Sequence, residues 1–214
     1  MADKKRPWRK AARQIMREAT IEEARRRFGT AEPLFNYRWE HVQAVYRLAM
    51  KLAAMTGADV EVVEAAVWLH DVAKNAGEDH PQAGAAFARK FLPQTDFPAA
   101  KIDQVAQAIE DHMGLWRDEP LQALESQVLW DADKLAKLGL TAAFHWLGID
   151  FAKGKTATTR GLIENGREVD WLEKTVASMH FPAAREAAAG RRRAFDELWN
   201  RLEAELEGED LDGE

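Results

Sequence analysis

The sequence contains no cysteine. Disulfide bonds, thiolate nucleophiles and sulfur-ligated metal sites are therefore excluded, so any metal must be held by nitrogen and oxygen ligands. Long hydrophobic runs are also missing, because no window approaches the ~18 consecutive apolar residues of a transmembrane helix. The charged start MADKKRPWRK leads into no apolar signal-peptide region. We therefore expect a cytoplasmic protein without a membrane partner.

Charge is distributed unevenly along the chain. The formal net charge is −6, yet residues 1–30 carry ten Lys and Arg against four acids, whereas residues 203–214 carry seven acids and no base. A basic segment of this kind can bind nucleic acid. Its arginines alternate with apolar residues, however, as on the wet side of an ordinary amphipathic helix. We favour a solvated face here and do not expect nucleic acid as a partner.

The periodicity of apolar residues predicts an all-α fold, since they recur at spacings of three and four and alternating stretches are nearly absent. Helices are expected at residues 8–28, 37–56, 59–74, 80–92, 98–113, 120–138, 140–152, 168–179 and 182–207. Residues 153–167 hold three glycines and several threonines, which predicts a mobile loop over a site. We divide the chain into a basic N-terminal helix at 1–30, a helical bundle at 31–207 and an acidic disordered tail at 208–214.

Several polar residues are predicted to point into the core. His41, His70 and His112 each head or end a helical stripe of Val, Leu and Ile, and Asp133 lies on the apolar half of its own helix. A lone inward histidine is more often a hydrogen-bonded core residue than a ligand. Several such groups from separate helices, with Asp71 beside His70, are costly to bury unless cations compensate them. The pattern therefore predicts a metal site.

The same residues carry a family resemblance. The motifs HDVAK (His70-Asp71), HPQAG (His80), AIEDHM (His112) and DADKL (Asp133), preceded by His41, resemble the HD superfamily of metal-dependent phosphohydrolases over about residues 36–138. A bare His-Asp dipeptide is weak evidence, but this series is specific. The C-terminal segment SMHFPAAREAAAGRRRAF is similar to the end of small stand-alone bacterial HD hydrolases. The resemblance implies an HD-domain helical bundle with extra N- and C-terminal helices.

The resemblance also implies a binuclear metal centre. In such proteins the first His, the His-Asp pair and the last Asp bind one metal, and the Asp of the pair bridges to a second. Carried over, the first metal has the ligands His41, His70, Asp71 and Asp133, and the second has Asp71, His80 and His112. Nitrogen and oxygen ligands suit one or two divalent Fe, Mn, Co, Ni or Zn ions, with Mg as a further candidate.

The implied activity is hydrolysis of a phosphoester or phosphoanhydride by a metal-activated hydroxide. The expected partner is a small phosphorylated substrate, for which we favour a nucleotide. Asp71 would join the two metals and orient the hydroxide. Lys74 would share its face on a continuing helix and contact a phosphate. The alternative for Lys74 is a solvated lysine at a helix C-terminus.

Two other functions remain open at this point. HD-fold di-iron oxygenases share the ligand pattern and often a lysine near the doublet, and a non-catalytic regulatory module could use the metal structurally and bind nucleic acid. Hydrolysis of cyclic dinucleotides is disfavoured, because Asp111-His112 replaces the paired histidines of those members and their Gly-Tyr-Pro element is missing after Met113. Asp111 is a further candidate oxygen ligand in place of the first of those histidines.

Overall fold

Ten α-helices make up most of the part of the chain that the computed structural model describes, which is residues 5–30, 35–155 and 158–211. Within these ranges there is no β-strand, only a single bridge between Arg6 and Thr95. The helices are α1 (Trp8–Phe28), α2 (Tyr37–Thr56), α3 (Val60–Leu69), α4 (His80–Phe91), α5 (Ile102–Asp111), α6 (Leu124–Leu135), α7 (Leu140–Ala152), α8 (Thr159–Arg167), α9 (Trp171–Ala177) and α10 (Pro182–Glu207). The predicted all-α fold is confirmed.

The core is formed by α2, α3, α5 and α6, which pack on one another, with α4 against α5. α1 covers α2 and α3 from one side and buries Trp8, Ala12 and Met16, while α10 packs against α6 to α9. These buried residues of α1 are four positions apart, so its basic residues lie off this buried stripe and are exposed. No helix of the described residues is both long and apolar enough to cross a membrane.

Several predicted helices are shorter in the structure. The helix expected at 59–74 ends at Leu69, and a turn leads into a 3-10 segment at Lys74–Asp79. Gly77 within it has φ 67°, a left-handed conformation that favours glycine. The helix expected at 98–113 begins at Ile102, and that expected at 120–138 covers Leu124–Leu135. The break after α3 matters most, because it turns the chain back toward the centre of the bundle.

The prediction of a mobile loop at 153–167 is wrong for its second half, which is α8. Thr158 caps this helix by accepting a hydrogen bond from Gly161 N. Gly166 is one of the three glycines on which that prediction rests, but it lies against α10, where an added Cβ would clash with the Trp199 indole. Its small size serves helix packing. Residues 156–157 lie outside the described residues.

The proposed division of the chain stays a prediction. α1 packs on the bundle, and Glu209–Leu211 form a 3-10 turn after α10. Residues 1–4 and 31–34, and residues 212–214 of the predicted acidic tail, lie outside the described residues.

Candidate metal centre

The six residues predicted as metal ligands meet in the middle of the bundle. His41 lies in α2, His70 and Asp71 directly follow α3, and His80 begins α4. His112 directly follows α5, and Asp133 lies near the end of α6. They form two adjacent groups in which the ligand atoms lie within 4.8 Å of one another: His41, His70 and Asp133, and then Asp71, His80 and His112. All six are buried.

The first group contains several polar atoms without a hydrogen-bond partner. They are both ring nitrogens of His41, Nε2 of His70 and Oδ1 of Asp133. His41 Nε2 lies 2.9 Å from Asp133 Oδ1, but neither atom has a hydrogen-bond partner. Each unsatisfied buried polar atom costs ~1–3 kcal/mol. Nitrogen and oxygen atoms that converge in this way without a hydrogen bond between them are suited to bind a cation.

The second group brings two imidazoles against one carboxylate. His80 Nε2 and His112 Nε2 are 3.1 Å apart, and they lie 3.5 and 3.6 Å from Asp71 Oδ1. The other oxygen of Asp71, Oδ2, lies 3.5 Å from His70 Nε2. Asp71 therefore stands between the two groups, which is the position a bridging carboxylate requires.

Backbone carbonyls fix the tautomers of three histidines. The Nδ1 atoms of His70, His80 and His112 lie 2.8, 2.6 and 2.5 Å from the carbonyl oxygens of Val67, Gly77 and Ile109. Since a carbonyl can only accept a hydrogen bond, Nδ1 carries the proton and donates it. Nε2 of each ring is left with a lone pair directed at the centre, which is how metal-ligating histidines are usually oriented.

Protonation states also suit metal binding. Burial lowers the pKa of His41 to about 3 and that of His112 to about 4, and it lowers the pKa of His70 and His80 as well. Burial alone would raise the pKa of Asp71, but the charges of Arg38 and Lys74 outweigh it and hold that pKa well below its usual value. The histidines are therefore neutral and Asp71 is ionised at neutral pH, as metal binding needs.

Lys74 lies beside the second group, although α3 ends at Leu69 and does not continue to Lys74. Its Nζ is 3.2 Å from Asp71 Oδ1 and 2.9 Å from His80 Nε2, and its side chain is 28% exposed. The prediction that Lys74 faces the centre on a continuing helix is wrong about the helix, because the turn after Leu69 delivers it. Burial is the main reason that its pKa is lowered.

Sequence reasoning missed three cations around the carboxylates. Arg38 Nη1 lies 2.5 Å from Asp71 Oδ2. Lys134 Nζ lies 2.5 Å from Asp133 Oδ2 and donates to the carbonyl of His112, while Lys137 Nζ lies 2.7 Å from Asp133 Oδ2. Burial lowers the pKa of Lys134 to about 7. Arg38 is three residues before His41 on one helix face, which is the signal that could have identified it.

Asp111 is not part of either group. Its carboxylate accepts hydrogen bonds from Ser126 Oγ at 2.7 Å and from Gln107 Nε2 at 2.9 Å. The alternative that Asp111 is an oxygen ligand is therefore wrong for the arrangement of the described side chains.

A cavity of about 690 Å³ opens onto this centre at Lys74, His80 and His112. Five cationic residues and one acid, Asp150, line it; the cations are Arg27, Arg38, Lys74, Lys137 and Lys155. Its remaining wall includes rings and apolar side chains, among them Tyr37, His145, Trp146 and Trp171. The arrangement suits an anionic ligand that also carries a ring.

Comparison with known proteins supports the resemblance seen in the motifs. Residues 38–138 match the family model of the HD domain. The fold is similar to that of a predicted HD superfamily hydrolase from an uncultured Thermotogales bacterium, with a TM-score of 0.66, 22% identity and 94% of each chain covered. It is also similar to Bacillus subtilis YpgQ in complex with ADP, with a TM-score of 0.62, 20% identity and coverage of 91% of this chain and 97% of that one. Identities of this size indicate a shared fold and no more.

Curated relatives match over a shorter stretch. A bifunctional uridylyltransferase/uridylyl-removing enzyme from Rhodopseudomonas palustris is 48% identical over 52 residues, and one from Bradyrhizobium diazoefficiens is 46% identical over the same length. Each match covers 24% of this chain but only 6% of the relative. The chain therefore spans a small part of the length of these relatives.

Proposed function

The chain carries an HD domain at residues 38–138, and from this premise we propose that it is a metal-dependent phosphohydrolase. Its substrate is a nucleotide or a small phosphorylated metabolite, in which it cleaves a phosphoester or phosphoanhydride bond. The observation that carries this proposal is the pair of buried groups of histidine and aspartate at the end of a cationic cavity.

The unpartnered donor atoms and the fixed tautomers fit divalent cations held by nitrogen and oxygen. We assign the first cation to His41, His70, Asp71 and Asp133, and the second to Asp71, His80 and His112. The ligand types suit Fe, Mn, Co, Ni or Zn, with Mg as a further candidate. Such cations, when bound, make water nucleophilic near neutral pH and neutralise phosphoryl oxygens.

Asp71 and Lys74 are the residues to which we assign catalytic roles. The buried carboxylate of Asp71 stands between the two groups, with Oδ1 facing Lys74 Nζ at 3.2 Å, and from this position it would help to orient the attacking water. Lys74 reaches the end of the cavity, where its ammonium can contact a phosphoryl oxygen and stabilise the charge that develops there. Lys74 also contacts Asp71 Oδ1 and His80 Nε2, so its ammonium would compete for these two atoms with a cation that Asp71, His80 and His112 would hold.

The cavity supports a nucleotide as substrate. Lys137, Lys155 and Arg27 can bind phosphates, and Trp146 or Trp171 can stack on a base. The related fold of Bacillus subtilis YpgQ has been seen in complex with ADP. The cationic wall favours any phosphorylated ligand, whereas the aromatic wall favours a nucleotide over a simple phosphoester.

A screen of nucleotides and phosphoesters tests the proposal. Protein purified without chelator is assayed for phosphate and pyrophosphate release under anaerobic conditions with Mn, Mg, Co or Ni. We expect turnover that is lost in Lys74→Ala and unchanged in the control Lys90→Ala, since Lys90 is exposed on α4. Asp71→Asn is expected to abolish turnover too.

Two outcomes would favour the competing functions. The di-iron oxygenase alternative also accounts for two groups of candidate ligands with a lysine beside the second. Oxygen uptake together with a mixed-valence iron spectrum, and no phosphate release, would favour it. Bound metal without turnover of any substrate in either assay would favour a non-catalytic module.

A further inference from the structure

A second large concave surface lies on the opposite side of α2 from the metal centre's cavity, between α1, α2 and α3. We call it the α1 groove; its volume is about 720 Å³. No residue lines both it and the cavity at the metal centre. Its residues take no part in the proposed hydrolysis, so its composition calls for a separate explanation.

The α1 groove is strongly cationic. It is lined by Arg9, Lys10, Arg13 and Arg17 of α1 and by Arg47 of α2, against a single acid, Glu64. Glu64 is already paired with Arg9, at 2.8 Å. No carboxylate within the described ranges forms an ion pair with the other four cations. A protein of net charge −6 thus keeps four exposed cations together in one groove.

The floor of the α1 groove is aromatic. Tyr46 and Trp68 stack with their ring centroids 4.9 Å apart, and Trp39 lies 6.0 Å from Trp68 at a small interplanar angle. The guanidinium of Arg13 lies 5.9 Å from the Trp39 ring and 5.8 Å from the Trp68 ring. Trp39 and Tyr46 are half-buried, so part of their surface faces the groove.

The cations are arranged as a row. Arg9, Arg13 and Arg17 are four residues apart on one face of α1, which places them about 6 Å apart along the helix. Arg47 approaches the same groove from α2. An amphipathic helix with a solvated face explains the row on α1, but it does not explain why α2 adds a cation and two aromatic rings, and α3 a third ring, at the same place.

We propose that the α1 groove binds nucleoside phosphates. The phosphates contact Arg13, Arg17 and Arg47, whose guanidinium groups match phosphate oxygens in pairs. The base packs against Trp39, as bases do on aromatic side chains in grooves with cationic walls. The same chemistry is offered by a free nucleotide and by a single strand of nucleic acid. Binding of either ligand would give the basic residues of α1 a function, whereas the sequence alone favours a face that is only solvated.

Fluorescence anisotropy with metal-loaded protein tests this proposal. The probes are fluorescein-labelled ATP and a labelled single-stranded DNA of about 12 nucleotides, a length in the range of single-strand sites. Arg13→Glu/Arg47→Glu is compared with Lys51→Glu/Lys90→Glu, which changes the charge equally at exposed positions outside the groove. We expect binding at least about tenfold weaker in the groove variant, with a salt slope smaller by about 1.4 for the strand, and a change of less than about twofold in the control.

Further arms separate the parts of the proposal. Trp39→Phe is expected to keep binding and Trp39→Leu to weaken it, while inorganic tripolyphosphate, which has no base, competes equally in both. Binding of the strand without ATP, weakened in the groove variant, identifies nucleic acid as the ligand source, and binding of ATP that is weakened in the same variant identifies a free nucleotide.

Some results would overturn the proposal. They are the absence of binding by either probe, equal affinity of the groove variant and its control, or loss of binding in Lys137→Ala alone, which would place the ligand in the other cavity. Phosphate release by Arg13→Glu/Arg47→Glu should equal that of the wild type. A negative result for ligand binding in the α1 groove is therefore distinguishable from a negative result for the proposed hydrolysis.

Discussion

Arg38 provides a direct measure of how much the buried charges around the metal centre depend on one another. Its side chain is 8% exposed and connects Asp71 Oδ2, at 2.5 Å, with Glu23 Oε2, at 3.3 Å. Truncation in Arg38→Ala leaves a buried carboxylate without its nearest cation. Breaking a buried pair in this way costs about 3–5 kcal/mol. For a chain of this size that corresponds to a Tm lower by about 6–20 °C.

Arg27 supplies the matched control, because it pairs with the same Glu23 at 3.6 Å but is 33% exposed. An exposed pair of this kind contributes ~0–1 kcal/mol, so Arg27→Ala should unfold almost as the wild type does. Stability is measured by urea denaturation with a chelator present. Arg38→Lys, which keeps the charge, is expected to lose less than Arg38→Ala and serves if the latter does not fold. Equal losses in Arg27→Ala and Arg38→Ala would refute this account of Arg38.

Three further predictions follow from the charges at the centre. Below pH 6.5 the unfolded chain protonates His41 and His112, whereas burial holds their pKa in the folded protein at about 3 and about 4. Because the unfolded state then binds more protons, the free energy of unfolding of the metal-free protein should fall by about 1.4 kcal/mol per pH unit for each histidine as the pH falls from 6.5 toward 4. A free energy of unfolding that stays constant over these pH values would contradict this prediction. Lys137→Ala should raise KM more than it lowers kcat in steady-state assays, since Lys137 lines the cavity; a fall in kcat alone would speak against phosphate binding there. Lys74→Met should strengthen binding of the second cation in calorimetric titrations while slowing hydrolysis, because its ammonium no longer contacts Asp71 Oδ1; weaker metal binding would count against this.

The helical fold could be predicted from the sequence because its signal is local. α1 and α2 have the predicted bounds, as do α7 and α10. Apolar spacing fixes such helices with little help from the rest of the chain. α8 was missed because Gly166 is explained only by the indole of Trp199, which lies more than thirty residues later. A glycine that permits close packing cannot be distinguished by sequence from one in a mobile loop.

The convergence of the candidate ligands could be anticipated, but the groups around them could not. Inward-facing stripes and the HD-type motifs identified His41, His70, His112 and Asp133. Arg38 and Lys134 were missed because a buried cation is costly by itself, and only the three-dimensional contacts with Asp71 and Asp133 compensate for it. The turn after α3 is also a tertiary effect, since the propensities of residues 70–74 permit a longer helix.

The most direct test of the central claim is the metal content and affinity of the purified protein, measured by elemental analysis and by equilibrium dialysis. The account predicts two divalent ions per chain in the wild type and in the control Lys90→Ala. It predicts loss of one ion in His112→Ala, loss of the other in His41→Ala, and none bound in the double variant. Equal metal content in the wild type and in His41→Ala/His112→Ala would contradict it.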